Sequence, residues 1–120
     1  YAFGEFAVYP GNQFETHLRP FMEGAFHLDG PTGAAACVMP YYTVSVGQGE
    51  MVGNSYNTYL IRDLLREKYG YDGVACTDWG IVEDPEQEMD SFGSRCYGQQ
   101  DLTVTERHLK IIMTRIRCCP

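Results

Sequence analysis

The chain reads as an α/β protein with parallel strands. Two short, continuously apolar runs, 34–39 and 74–77, each follow a segment with helical periodicity. Runs that are apolar throughout suit strands covered on both faces, which is how parallel strands sit. The runs are too short for helices and are bounded by Gly and Pro, which favours strands.

In order along the chain, the first eleven residues are aromatic and Gly-rich, end in Tyr9-Pro10-Gly11, and read as a loop. Asn12 can cap a helix, and Phe14, Leu18, Phe21, Met22, Ala25 and Phe26 recur at helical spacing to about Leu28. Pro20 removes one of its hydrogen bonds and predicts a kink or split there. Asp29-Gly30-Pro31-Thr32-Gly33 is a turn, followed by the run Ala34 to Met39 as the first strand. Residues 41–53 are polar, Gly-rich and irregular.

Asn54 or Ser55 can cap a second helix with Leu60, Ile61, Leu64 and Leu65 as its apolar stripe. Arg66 and Lys68 in its last turn and Gly70 beyond it suit a helix C-terminus. Tyr71-Asp72-Gly73 then turns the chain into Val74 to Thr77, the second strand. Residues 83–100 read as a long polar loop with at most a short helix. Thr103 with Glu106 makes a capping box, and Leu109, Ile112, Met113 and Ile116 form the expected buried stripe of a third helix. Two parallel strands leave both edges open and little core, so the expectation is part of a larger α/β fold.

Composition narrows the function. The 120 residues are 44% hydrophobic with a net charge of -7, a globular profile. Only nine Lys and Arg are present, scattered, which argues against a nucleic-acid partner. No run approaches the roughly 18 apolar residues of a membrane span, and no leader peptide is visible in the residues given. Nine Tyr and six Phe offer stacking surface for a neutral ligand such as a sugar.

Five Cys (Cys37, Cys76, Cys96, Cys118, Cys119) are a poor disulfide framework, being odd in number and unevenly spaced. Without a Cys-x-x-Cys pair, and with His17, His27 and His108 far apart, no structural metal is expected. Cys37 and Cys76 lie in apolar runs and are expected to pack as small buried hydrophobes.

In parallel α/β proteins ligands bind at the carboxyl ends of the strands. Pro40-Tyr41-Tyr42 and Asp78-Trp79 occupy those ends. A carboxylate beside a Trp can be a nucleophile or base next to a stacking platform; the alternative is an Asp78 that caps a turn, with Trp79 in the core. Glu50, Glu83, Asp84, Glu86 and Glu88 read as solvated loop residues, and the three His as surface or locally satisfied. Ser45 to Gly49 lacks the Gly-Lys-Ser/Thr ending of a phosphate loop, and no Gly-x-Ser-x-Gly elbow occurs.

Three ordered motifs add to this: Val38-Met39-Pro40-Tyr41-Tyr42, then Asn57 to Arg66 (Asn-Thr-Tyr-Leu-Ile-Arg-Asp-Leu-Leu-Arg), then Tyr71-Asp72-Gly73-Val74-Ala75-Cys76-Thr77-Asp78-Trp79-Gly80. Together, over roughly residues 14 to 82, they resemble glycoside hydrolase family 3, which includes β-glucosidases, β-xylosidases and exo-acting glucanases. The resemblance implies a (β/α)8 TIM-type barrel, of which this chain would cover a middle portion as a single partial segment. It implies a retaining exo-acting β-glycosidase that needs no cofactor and acts on an oligosaccharide or β-glycoside.

Within that resemblance Asp78 is the nucleophile, Tyr42 lies beside it and the sugar, and Trp79 walls the site. The family's Lys-His pair should precede Tyr1, and its acid/base carboxylate has no counterpart here. The stretch Ile111 to Pro120 lacks the family's Gly-x-Asp. The expectation is therefore a chain truncated at both ends and inactive alone, with its last residues outside the native reading frame. A periplasmic or secreted location is common for such enzymes, while free Cys are also compatible with cytoplasm. The rival reading is a non-catalytic carbohydrate-binding or scaffold piece that keeps the barrel pattern without the chemistry.

Overall fold

The computed structural model describes residues 4–82 and 95–115. Two two-stranded parallel sheets organise it. Strand β1 (Phe6–Ala7) pairs with β3 (Val44–Ser45), and β2 (Cys37–Val38) pairs with β4 (Val74–Ala75). The second sheet joins the two expected strands, in register Cys37 with Val74 and Val38 with Ala75, but each is two residues long rather than the 34–39 and 74–77 expected. Cys76 N–H continues its ladder to the Val38 carbonyl at 2.9 Å. The first sheet corrects the expectation of loop at both places. Its strands are two residues each, too short to carry a readable alternation. They are held from outside the pattern: the Tyr9 hydroxyl meets Ser45 Oγ at 3.0 Å, and Ser45 Oγ donates to Asn54 Oδ1 at 2.8 Å.

The parallel α/β character therefore stands, but coverage on both faces does not. Val74 is 62% exposed, Met39 is exposed, and Cys37 is exposed rather than packed inside. Cys76 is half-buried, its thiol 3.4 Å from the Val38 carbonyl.

Helix α1 (Phe14–Arg19) runs into a π-helix, Pro20–Ala25, and both Arg19 and Pro20 keep helical backbone angles, so Pro20 marks a change of helix type rather than the expected kink or split. Asn12 does not cap it; it lies in a 3-10 turn, Pro10–Asn12, at φ +58, and Gln13 precedes the first helical residue. The second helix follows a 3-10 turn, Asn54–Tyr56, and is a π-helix over Tyr59–Lys68. Its wider i→i+5 bonding ends with Tyr69 N–H on the Leu64 carbonyl at 3.0 Å. Asn57, rather than Asn54 or Ser55, satisfies its start by accepting the Leu60 N–H at 3.1 Å. Ile61 and Leu64 are buried as expected, and so is Arg66, whose Nη1 donates to the Tyr71 and Gly73 carbonyls at 2.8 and 2.6 Å. That fork shapes the turn into β4, and Tyr71 packs on Phe26 with ring centroids 4.6 Å apart.

Helix α2 (Val104–Arg115) opens with the expected capping box. Thr103 N–H and hydroxyl reach Glu106 Oε2 at 2.9 and 2.8 Å, and Glu106 N–H reaches Thr103 Oγ1 at 3.3 Å. The buried face is a correction: Arg107, Ile111 and Thr114 point inward, while Leu109, Ile112 and Met113 are exposed. Ile116 lies outside the described residues, as do Cys118, Cys119, Glu83, Asp84, Glu86 and Glu88.

The core gathers Tyr42, Val44, Val52, Tyr56, Ile81, Cys96, Tyr97 and Ile111, with Val82 packed against it. It joins β3, the 3-10 turn, α2 and the segment that follows β4.

Candidate active site

Asp78 stands three residues past the end of β4, where the chain leaves the sheet and turns through Trp79–Val82. The half-buried Asp78 accepts the Trp79 N–H on Oδ1 at 2.7 Å. The turn-capping bond that the sequence left open is therefore made, but the core Trp79 that went with it is not: the indole is 85% exposed.

Tyr42 follows β2 and is buried at 4% exposure. Its hydroxyl donates to the Trp79 carbonyl at 2.5 Å. Two of the three sequence-predicted site residues thus touch Trp79 or are bonded through it. Parallel pairing of β2 with β4 is the reason, since it puts the ends of both strands on one side.

A cleft of about 280 Å³ opens at this end. Thr77, Asp78 and Gly80 line one wall; His108, Ile112 and Arg115 of α2 line the other. Asp78 is the one carboxylate among the described residues that line it. His108 is exposed, with Nδ1 2.9 Å from the Val104 carbonyl, the locally satisfied histidine that was expected. Its place opposite Asp78 was not expected. Burial pushes the Arg115 guanidinium below the ordinary arginine range, and among the described residues its Nε has no hydrogen-bond partner. Neither side chain could have been found from sequence. Both lie 30 or more residues beyond Asp78, on a helix whose inward face, Arg107, Ile111 and Thr114, differs from the apolar stripe of its sequence.

A second groove, about 450 Å³, runs between the second π-helix and α2 past Arg62, Leu109, Lys110 and Met113; it includes none of the predicted site residues. Among the described residues no three His, Cys, Asp or Glu gather so as to hold a metal ion. Among them, too, no helix is long and apolar enough to cross a membrane.

No family model matches the chain. Among curated proteins it is 34% identical over 113 residues to a probable β-glucosidase C of Aspergillus oryzae, covering 93% of this chain and 17% of that protein. It is 33% identical over 111 residues to a β-glucosidase C of Emericella nidulans, with 92% and 17% covered. Against a periplasmic β-glucosidase/β-xylosidase of Dickeya chrysanthemi it is 36% identical over 88 residues, 68% of this chain and 12% of that one. The chain spans no more than 17% of the length of these relatives. Across 93% of its own length it is nonetheless homologous to a segment of proteins named β-glucosidase, the resemblance that its ordered motifs carry.

Proposed function

We propose that the chain is the nucleophile-bearing segment of a retaining exo-acting β-glycosidase of glycoside hydrolase family 3, and that its parallel strands belong to a (β/α)8 barrel. The observation that carries this is a carboxylate at the carboxyl end of a parallel strand, oriented by the next backbone N–H, with an exposed indole beside it. Similarity to β-glucosidases supports a β-glycoside or oligosaccharide as substrate.

On this reading Asp78 Oδ2 attacks the anomeric carbon while the bond to the leaving oxygen breaks. A covalent glycosyl ester forms and is then hydrolysed by water. Oδ1 stays on the Trp79 N–H, which leaves Oδ2 as the attacking oxygen. Trp79 presents an apolar wall to the sugar ring. Tyr42 stands beside the nucleophile and the sugar, its hydroxyl fastened to the Trp79 carbonyl.

Retention requires a second carboxyl group about 5–5.5 Å from the first. On the resemblance to family 3 the acid/base group is proposed to come from outside these 120 residues. The second reading is a carbohydrate-binding or scaffold piece without the chemistry. A mechanism-based 2-fluoro glycoside applied to the whole protein separates the two. An adduct on Asp78, located by mass spectrometry, is the expected result; sugar binding without an adduct overturns the catalytic reading. The relative named as periplasmic supports a periplasmic or secreted location.

A further inference from the structure

The turn Trp79–Val82 makes no strand pairing, and Gly80 within it has φ +69, a left-handed conformation that suits glycine. Three of its four carbonyls are nevertheless taken by buried side chains from distant elements. Tyr42 holds the Trp79 carbonyl. Tyr56, 1% exposed in the 3-10 turn, donates its hydroxyl to the Ile81 carbonyl at 2.5 Å. Arg107, 2% exposed on α2, donates Nη1 to the Val82 carbonyl at 3.2 Å and also reaches the carbonyls of Gln99 and Gln100.

The turn so held carries the N–H that orients the Asp78 carboxylate. Trp79 is therefore anchored on both sides: its N–H by Asp78, its carbonyl by Tyr42. The far end of the turn is anchored by Tyr56 and Arg107. Ile81, 2% exposed, also seats the turn in the core. The two hydrogen bonds add direction to that packing, and without them the peptide planes of the turn can tilt and shift the Asp78 carboxylate by a fraction of an ångström to about 1 Å.

We infer that Tyr56 and Arg107 are positioning residues for the Asp78 carboxylate, acting through the backbone of the Trp79–Val82 turn. This rests on the proposed role of Asp78 as nucleophile. Neither residue lines the cleft at Asp78, so their loss is expected to spare the binding of substrate and disturb the angle of attack. Small displacements of an attacking group are costly in rate, on the order of a hundredfold for about 1 Å.

The test uses the whole protein, of which on this reading the chain is a segment, with an aryl β-glucoside as substrate. Tyr56→Phe keeps the ring and removes only the hydroxyl. Arg107→Lys keeps the charge and removes the fork. Each is expected to lower kcat by about tenfold or more with KM within about twofold of wild type. The rate of inactivation by a 2-fluoro glycoside should fall in step. Turnover of both variants within threefold of wild type, whatever their melting temperatures, overturns the inference. So does a loss carried by KM alone. If one variant fails to fold, the other decides; if both fail, the contacts serve stability and the inference falls. Asp78→Asn is measured alongside. If that variant keeps wild-type turnover, the catalytic reading itself has failed; if it is inactive while Tyr56→Phe and Arg107→Lys turn over normally, only the positioning role has failed.

Discussion

Asp78 has one oxygen, Oδ1, on the Trp79 N–H, an asymmetry between its two oxygens set by a single backbone contact. Asp78→Asn keeps the size of the side chain and removes its nucleophilicity. In the whole protein this substitution is expected to lower kcat on the order of a thousandfold or more, read with an aryl β-glucoside. Wild-type turnover would refute the role. Position just beyond a strand and the surrounding motifs make Asp78 a candidate from sequence alone. The anchors of its turn are not, because Tyr56 and Arg107 lie 22 residues before and 29 residues after it and carry no local signal. Arg107 in particular reads as an ordinary exposed helix residue until its donors are seen on three carbonyls.

At the scale of the element, α2 is instructive because its start was legible and its orientation was not. Thr103 and Glu106 satisfy each other and the first free N–H groups within four residues, so the pattern alone sufficed. Thr103→Ala should cost about 1 kcal/mol in urea unfolding. The backbone and hydroxyl hydrogen bonds from Thr103 hold the Glu106 carboxyl below the usual glutamate value. Its folded pKa is thus depressed relative to the unfolded chain. That contribution is present above the ordinary glutamate pKa and is lost as pH falls through the lower folded value. A Glu106→Gln variant should therefore show less acid sensitivity of unfolding in that window; an unchanged pH profile would refute the linkage.

The close approach at Gly98 belongs to the same scale. It has φ +75, and a Cβ there would sit 2.6 Å from the Met51 carbonyl oxygen. The neighbouring Tyr97 carbonyl accepts the Gly53 N–H at 2.9 Å, so the backbone there is not free to retreat. Gly98→Ala is expected to destabilise by roughly 2 kcal/mol or more, seen as a lower midpoint in thermal or urea unfolding.

For the whole molecule, the apolar surface is the deciding fact. Leu109, Ile112 and Met113 are exposed along α2, and Val74 and Met39 along the β2–β4 sheet. Faces of this kind favour association in water. The isolated 120-residue chain is expected to self-associate and to show no hydrolysis of aryl β-glucosides. Sedimentation should detect the association, and Met113→Glu should weaken it while shifting stability by no more than about 0.5 kcal/mol. A monomeric chain with measurable turnover would contradict both expectations. The barrel proposed above accounts for these faces, since strands with one open face and a helix with an uncovered apolar side fit a larger sheet and its neighbours.

What the sequence determined by itself was whatever is encoded within a few residues. This includes the order of helices and the two paired strands of the β2–β4 sheet, the change of helix type at Pro20, the capping box at Thr103, and Asp78 just beyond β4. Tertiary structure decided the rest. It added the pairing of β1 with β3, turned Arg107, Ile111 and Thr114 inward, exposed Cys37 and Trp79, and brought Tyr42, Tyr56 and Arg107 onto one turn. The physical reason is range. Periodicity and caps are satisfied locally, whereas a short strand or a buried guanidinium is stable only against partners that the folded chain brings from far away.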